Sequence, residues 1–88
     1  MKECKIIGYG KFKEKETQED MFRIVIGIDS TSENYKGTMI TTAFLPYDKD
    51  LEDELDYAIQ NNKKANYETT DNIITGKTKI SKITVKHY

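Results

Sequence analysis

Apolar and polar residues alternate along the first half of the chain. Apolar residues occupy every second position of residues 21–29, MFRIVIGID, which is typical of a strand with one buried face. Residues 5–13, KIIGYGKFK, alternate in the same way, and residues 35–45, YKGTMITTAFL, are rich in β-branched and aromatic residues. The polar segments EKETQE (14–19) and STSEN (30–34) separate these stretches as turns. The pattern therefore predicts three consecutive strands.

Strict alternation of residues 5–13 also predicts which side chains share a face of the first strand. One face holds small and apolar residues, namely Ile6, Gly8, Gly10 and Phe12. The other face is more basic and aromatic, with Lys5, Ile7, Tyr9, Lys11 and Lys13. Two glycines on one face weaken a flat strand, but they suit a strand that coils around the corner of a barrel.

The hydrophobic period changes in residues 48–62. The apolar residues of this segment are Leu51, Leu55, Ala58 and Ile59. Their spacing forms one stripe of a helix, which we expect to cover strand residues. The strand residues expected beneath this stripe are Ile24, Ile26 and Ile28. Asp48 or Asp50 is a suitable N-cap, and the acidic residues that follow lie where the helix dipole favours them.

The last part of the chain, residues 66–86, predicts two strands around a turn at Gly76 and Lys77. The turn lies in the stretch TGKT, which resembles the end of a phosphate-binding loop. A complete loop of that kind begins with a glycine and is followed by a helix. Asp71 occupies the position of that glycine, and strand-like residues follow, so we interpret TGKT as a hairpin turn. The spacing of Ile80 and Ile83 further predicts a bulge near Ser81 and Lys82.

The predicted order of elements is β-β-β-α-β-β, a mostly β, α+β fold in a single small globular domain of residues 1–88. This order matches an OB-like small five-stranded barrel. The alternative is an open antiparallel sheet with the helix across one face.

Composition adds an uneven distribution of charge. Thirteen lysines and one arginine oppose fifteen acidic residues, and the net charge is −1. Acidic residues crowd 48–56, whereas residues 76–88 contain lysines and no acid. The preference for Lys, Ile, Asn and Tyr is typical of AT-rich coding DNA, which indicates a low-GC bacterium, a phage or a plasmid. No segment has the apolar length of a membrane span or signal peptide, so we expect a cytoplasmic protein without a membrane partner.

Residues for catalysis or metal binding are scarce. Cys4 is the one cysteine and His87 the one histidine, so neither has a like partner for a metal site. The acidic run lacks the glycine-containing loop of a calcium site. We therefore predict no enzyme, no catalytic residues, no cofactor and no metal.

Two functional hypotheses follow. The first is a small accessory protein that binds single-stranded nucleic acid through a basic and aromatic sheet face, because such sites combine stacking rings with cations. Its candidate residues are Tyr9, Lys11, Lys13, Arg23, Tyr35 and Lys36. The alternative is an adaptor or inhibitor that binds a host protein through its acidic helix. The candidate residues of that interface are Asp50, Asp53, Glu54 and Asp56. The sequence leaves the oligomeric state open.

Overall fold

The computed structural model of the chain describes residues 2–31, 34 and 36–87. Within them, five strands and one helix follow in the order β-β-β-α-β-β, which confirms the predicted order and the α+β class. The elements are β1 (Lys2–Lys13), β2 (Asp20–Thr31), β3 (Lys36–Pro46), α1 (Lys49–Asn61), β4 (Lys64–Asp71) and β5 (Thr78–Val85).

The five strands form one antiparallel sheet in the order β3-β2-β1-β4-β5. β1 is shared between two ladders, because its N-terminal part pairs with β4 and most of its length pairs with β2. The outermost strands β3 and β5 approach each other to within 8 Å between Cα atoms. No ladder joins β3 to β5 in the described part of the chain, so the sheet is open and the predicted OB-like barrel is not confirmed.

The core lies between one face of this sheet and α1. Phe22, Ile24 and Ile26 of β2 are fully buried there, together with Leu55 of the helix. The remaining buried members of the cluster are Cys4, Ile6, Ala43, Leu45, Ala58, Ala65, Tyr67, Ile83 and Val85. The predicted apolar stripe of the helix is therefore confirmed at its centre. It is wrong at Ile59, which is 43% exposed at the margin of the helix.

The helix has well-defined caps at both ends. Asp48 is the N-cap, and its side chain accepts a hydrogen bond of 3.1 Å from the backbone N–H of Asp50, which confirms one of the two predicted caps. Asn62 ends the helix in the left-handed conformation, with φ 53° and its N–H bonded to the carbonyl of Ala58.

A bulge in β1 changes which of its residues face the core. Ile6 pairs with Ile26, but the next pair is Gly8 with Val25, so Ile7 is an extra residue in the ladder. One extra residue reverses the facing of every side chain beyond it. The predicted alternation of residues 5–13 is therefore wrong after Ile6.

The C-terminal hairpin agrees with the sequence. The residues between β4 and β5 form a turn in which Gly76 adopts a positive φ of 70° and Asn72 accepts from the N–H of Ile74 at 2.9 Å. A strand, not a helix, follows TGKT, so its interpretation as a turn is confirmed. The predicted bulge is also confirmed, because Ser81 is skipped where Glu68 and Thr69 pair with β5. No helix among the described residues is long and apolar enough to cross a membrane.

Candidate functional site

The face of β1, β2 and β3 that lies opposite the helix is not covered by any described part of the chain; we call it the open face. Its successive rows, in register across the three strands, are Phe12–Met21–Pro46, Gly10–Arg23–Phe44 and Gly8–Val25–Thr42. Large apolar side chains are exposed on it, namely Ile7, Phe12, Ile40 and Phe44. An exposed apolar patch of this kind commonly marks a site of interaction.

A shallow groove of about 620 Å³ crosses the open face. The residues that line it are Ile7, Gly8, Tyr9, Gly10, Lys11, Phe12, Arg23, Val25 and Phe44. Of these, Tyr9 and Lys11 have the polar ends of their side chains bonded to the helix on the opposite face. We call this depression the open-face groove.

Two glycines form the floor of the groove. A Cβ atom placed on Gly8 or Gly10 would meet no other atom within 4 Å, and neither residue has a positive φ. Packing and backbone conformation therefore do not require glycine at these positions, although glycine weakens a strand. What glycine provides is a floor without side chains, where another molecule can approach the backbone closely.

Aromatic side chains form one wall. The rings of Phe12 and Phe44 lie edge to face, with centroids 6.1 Å apart and an interplanar angle of 88°. Phe12 is 39% exposed and Phe44 is 57% exposed, so both rings offer apolar surface to a bound molecule. Because each ring contacts the other, part of the ordering that binding requires is already present in the free protein.

Arg23 supplies the positive charge of the groove. It lies on the central strand of the open face, opposite Gly10 on one side and Phe44 on the other. Its exposed side chain makes no hydrogen bond or ion pair with the described residues, and no acidic residue lines the groove. A planar guanidinium is thus available to an acceptor on a bound molecule.

The bulge in β1 separates Arg23 from the other predicted nucleic-acid contacts. The Tyr9 hydroxyl donates to Oδ1 of Asp56 at 2.5 Å, and this hydrogen bond raises the pKa of Tyr9 to about 12. Lys11 Nζ lies 2.8 Å from Oε2 of Glu52 in the helix. The prediction that Tyr9 and Lys11 share a face with Arg23 is therefore wrong.

Lys13 and Lys36, two further predicted members of that interface, do not line the groove. Lys13 Nζ lies 3.4 Å from Oδ1 of Asp20 at the end of the β1–β2 pair. Lys36 is exposed at the start of β3, and Tyr35 lies outside the described residues.

The carboxylates of the alternative interface are mostly engaged within the chain. Asp53 Oδ1 lies 3.0 Å from Nζ of Lys49, and Asp56 accepts from Tyr9. Glu54 Oε2 lies 2.5 Å from Nε2 of His87. Asp50 is exposed, and its carboxylate contacts no described side chain. No group of three or more His, Cys, Asp or Glu side chains that could hold a metal ion occurs among the described residues.

A scan against protein-family models and searches of curated proteins and of solved structures found no match to this chain. The geometry of the open-face groove is therefore the basis for a functional conclusion.

The sequence pattern already places Gly8, Gly10 and Phe12 on one face of the first strand. It also places Ile6 on that face, so it predicts that all four residues face the core. The adjacent Ile6 and Ile7 are the one sign of the bulge that moves the two glycines and Phe12 to the open face.

Proposed function

We propose that the protein is a small, non-enzymatic accessory protein that binds single-stranded nucleic acid through the open-face groove. The observation that carries this proposal is the combination of the exposed Phe12 and Phe44 rings, the bare glycine floor and Arg23, which has no partner among the described residues. Unpaired bases are planar and apolar on their faces, and stacking on an aromatic side chain contributes about 1–3 kcal/mol per base. A duplex hides those faces within its own stack, so the groove favours single strands.

The arrangement of strands supports the same function. An OB-type barrel is a partly open, five-stranded structure, and its ligand face lies on the second and third strands. In this chain five strands form a sheet whose outermost strands β3 and β5 approach each other without pairing. The groove includes residues of β2 and β3. We infer an OB-like architecture from this correspondence, which is one of topology.

Charge determines what strength of binding to expect. The net charge is −1, so the whole protein exerts little long-range attraction on a polyanion. Among the described residues that line the groove, Arg23 is the one charged residue whose side chain is not bonded to the helix. Stacking should therefore contribute more than ion pairing, and the dependence of the dissociation constant on salt should be shallow.

The alternative, an adaptor or inhibitor that binds a host protein through the acidic helix, has weaker support. Asp53 and Asp56 already have partners in the chain, so a basic partner would have to compete with Lys49 and Tyr9. Glu54 Oε2 lies beside His87 without a hydrogen bond and is buried, and Asp50 has no hydrogen bond or ion pair from its carboxylate to the described residues.

The test is a fluorescence-anisotropy titration with labelled oligo-dT and oligo-U at two salt concentrations. Phe44→Ala should weaken binding roughly 5- to 150-fold, because it removes a stacking surface worth about 1–3 kcal/mol. Gly10→Val should weaken binding to a similar extent, because it fills the floor, while the melting temperature stays the same or rises. Ile59→Ala, which removes an exposed apolar side chain on the helix, is the matched control and should bind normally.

Failure of the folded wild-type protein to bind either oligonucleotide at low salt would overturn the proposal. Normal binding by both Phe44→Ala and Gly10→Val would move the interface away from the groove. Loss of binding on charge reversal of Asp53 and Glu54, with both groove variants normal, would place the interaction on the helix.

A further inference from the structure

Among the described residues, the side chains of the open-face groove offer hydrogen-bond donors but no acceptor. Its lining side chains are apolar except for Tyr9 and Lys11, whose polar ends bond to the helix, and Arg23. A guanidinium carries several N–H donors in a rigid planar fork and has no acceptor. A base bound in the groove can therefore satisfy the Arg23 side chain only with acceptors of its own.

Arg23 is placed to meet the edge of a base. It lies on the middle strand of the groove, between the glycine floor at Gly10 and the aromatic wall at Phe44. A base that stacks against the wall and covers the floor brings its edge to this position.

The fork geometry selects among the bases. A bidentate contact needs two neighbouring acceptors, which guanine presents at N7 and O6, and this is the commonest specific contact of arginine with a base. Adenine pairs N7 with an amino donor at the same edge, and the carbonyls of thymine and uracil are separated by an N–H group. Cytosine has two neighbouring acceptors at N3 and O2, but its ring is smaller and covers less of the wall.

We propose that Arg23 makes the open-face groove selective for a guanine base within a single strand. This selectivity rests on the proposed function, because it needs a strand bound in the groove. It assigns the two kinds of groove residue different tasks. Phe12 and Phe44 hold any base by stacking, whereas Arg23 distinguishes guanine from the others.

The test uses oligo-dT of roughly ten nucleotides, within the usual site size of such proteins, with one central position varied. A single guanine should bind about tenfold more tightly than adenine at that position, in the range expected for one bidentate contact. 7-Deazaguanine, which keeps O6 but lacks N7, should fall to the level of adenine. One guanine per strand also prevents association of guanines between strands.

Arg23→Lys is the matched variant, because it keeps the positive charge and removes the planar fork. Its preference for the guanine strand over the adenine strand should be clearly reduced, because lysine can donate to O6 and N7 but not from a fixed fork. Its affinity for plain oligo-dT should stay within about threefold of wild type, since stacking is intact. Circular dichroism should confirm that it is folded.

The outcomes separate the two proposals. If wild type binds strands in a manner sensitive to Phe44→Ala but does not distinguish guanine from adenine, the guanine proposal is overturned alone. A guanine preference that is undiminished in Arg23→Lys, or that is kept with 7-deazaguanine, also overturns it. No binding of any strand overturns both proposals.

Discussion

Polar and aromatic side chains have partners on the helix-covered face of the sheet, whereas on the open face they are exposed. On the face covered by the helix, Tyr9 and Lys11 each find an acidic partner, and the ring of Tyr9 packs edge to face on Phe22 at 5.6 Å between centroids. On the open face, Arg23 has no described partner, and the ring of Phe44 is 57% exposed. The same kinds of residue stabilise the fold on one face and are left available on the other.

This difference teaches where function should be sought in so small a chain. Polar groups with partners inside the molecule have their interactions satisfied, and a ligand that uses them must displace those partners. A ligand can bind exposed groups that have no partner without displacing an existing interaction. The acidic helix looks like an interaction surface in the sequence, but in the structure Glu52 and Asp56 hold the helix to β1.

The largest expected effect is on stability, and it concerns the helix that covers one face of the sheet. Leu55→Ala should destabilise the protein by about 2–5 kcal/mol, because the Leu55 side chain is fully buried between the helix and the sheet. Ile59→Ala, on the same helix but 43% exposed, should cost less than about 1 kcal/mol. Urea denaturation followed by circular dichroism measures both. Equal costs would mean that the helix does not pack on the sheet through Leu55.

A smaller effect is expected at Tyr9, where the two faces meet in one strand. Tyr9→Phe should cost about 1.5 kcal/mol of stability, because it removes a hydrogen bond to the Asp56 carboxylate. Oligo-dT binding should not change, since the hydroxyl points to the helix. The measurements are urea denaturation and anisotropy on the same samples. Weaker binding with unchanged stability would mean that Tyr9 contacts the nucleic acid, as the sequence predicts.

Local periodicity was sufficient to predict much of the fold. Residues 21–29 form a strand with one buried face, and the helix follows its apolar stripe, because in both elements burial repeats at the period of the backbone. Closure of the barrel was not predictable in the same way. It depends on pairing between β3 and β5, which lie far apart in sequence and which local pattern does not constrain.

The candidate site was predictable only in part, and for a specific reason. Arg23 lies on the open face as the alternation of β2 requires. Tyr9 and Lys11 do not, because the single extra residue at Ile7 shifts the register of β1. An apolar bulge residue fits either face in the sequence pattern, so a strand that continues in strict alternation and one that bulges look alike. Phe12 moves to the open face for the same reason.

The smallest expected effect concerns acid. Hydrogen bonds from Lys11 and Tyr47 hold the pKa of the Glu52 carboxyl below its usual value of 4.5. A carboxyl whose pKa is lower in the folded than in the unfolded protein stabilises the fold above the unfolded pKa, and that stability is lost as the pH falls through the folded pKa. The wild-type protein should therefore lose stability between about pH 5 and pH 3.

Lys11→Met should make that loss shallower, because it removes the main partner of Glu52 while keeping an apolar side chain of similar length. Part of the loss should remain, since Lys86 and Lys64 lower the pKa of Glu3 as well.

Lys13→Met is the matched control. The Lys13–Asp20 pair is longer, at 3.4 Å, and both side chains are largely exposed, so this pair should contribute little to stability. Urea denaturation at several pH values measures the slopes. If Lys13→Met flattened the curve as much as Lys11→Met, the ion pair of Lys11 with the helix would not be the source of the acid sensitivity. The contrast between Lys11, paired on the covered face, and Arg23, without a described partner in the open-face groove, would then be lost.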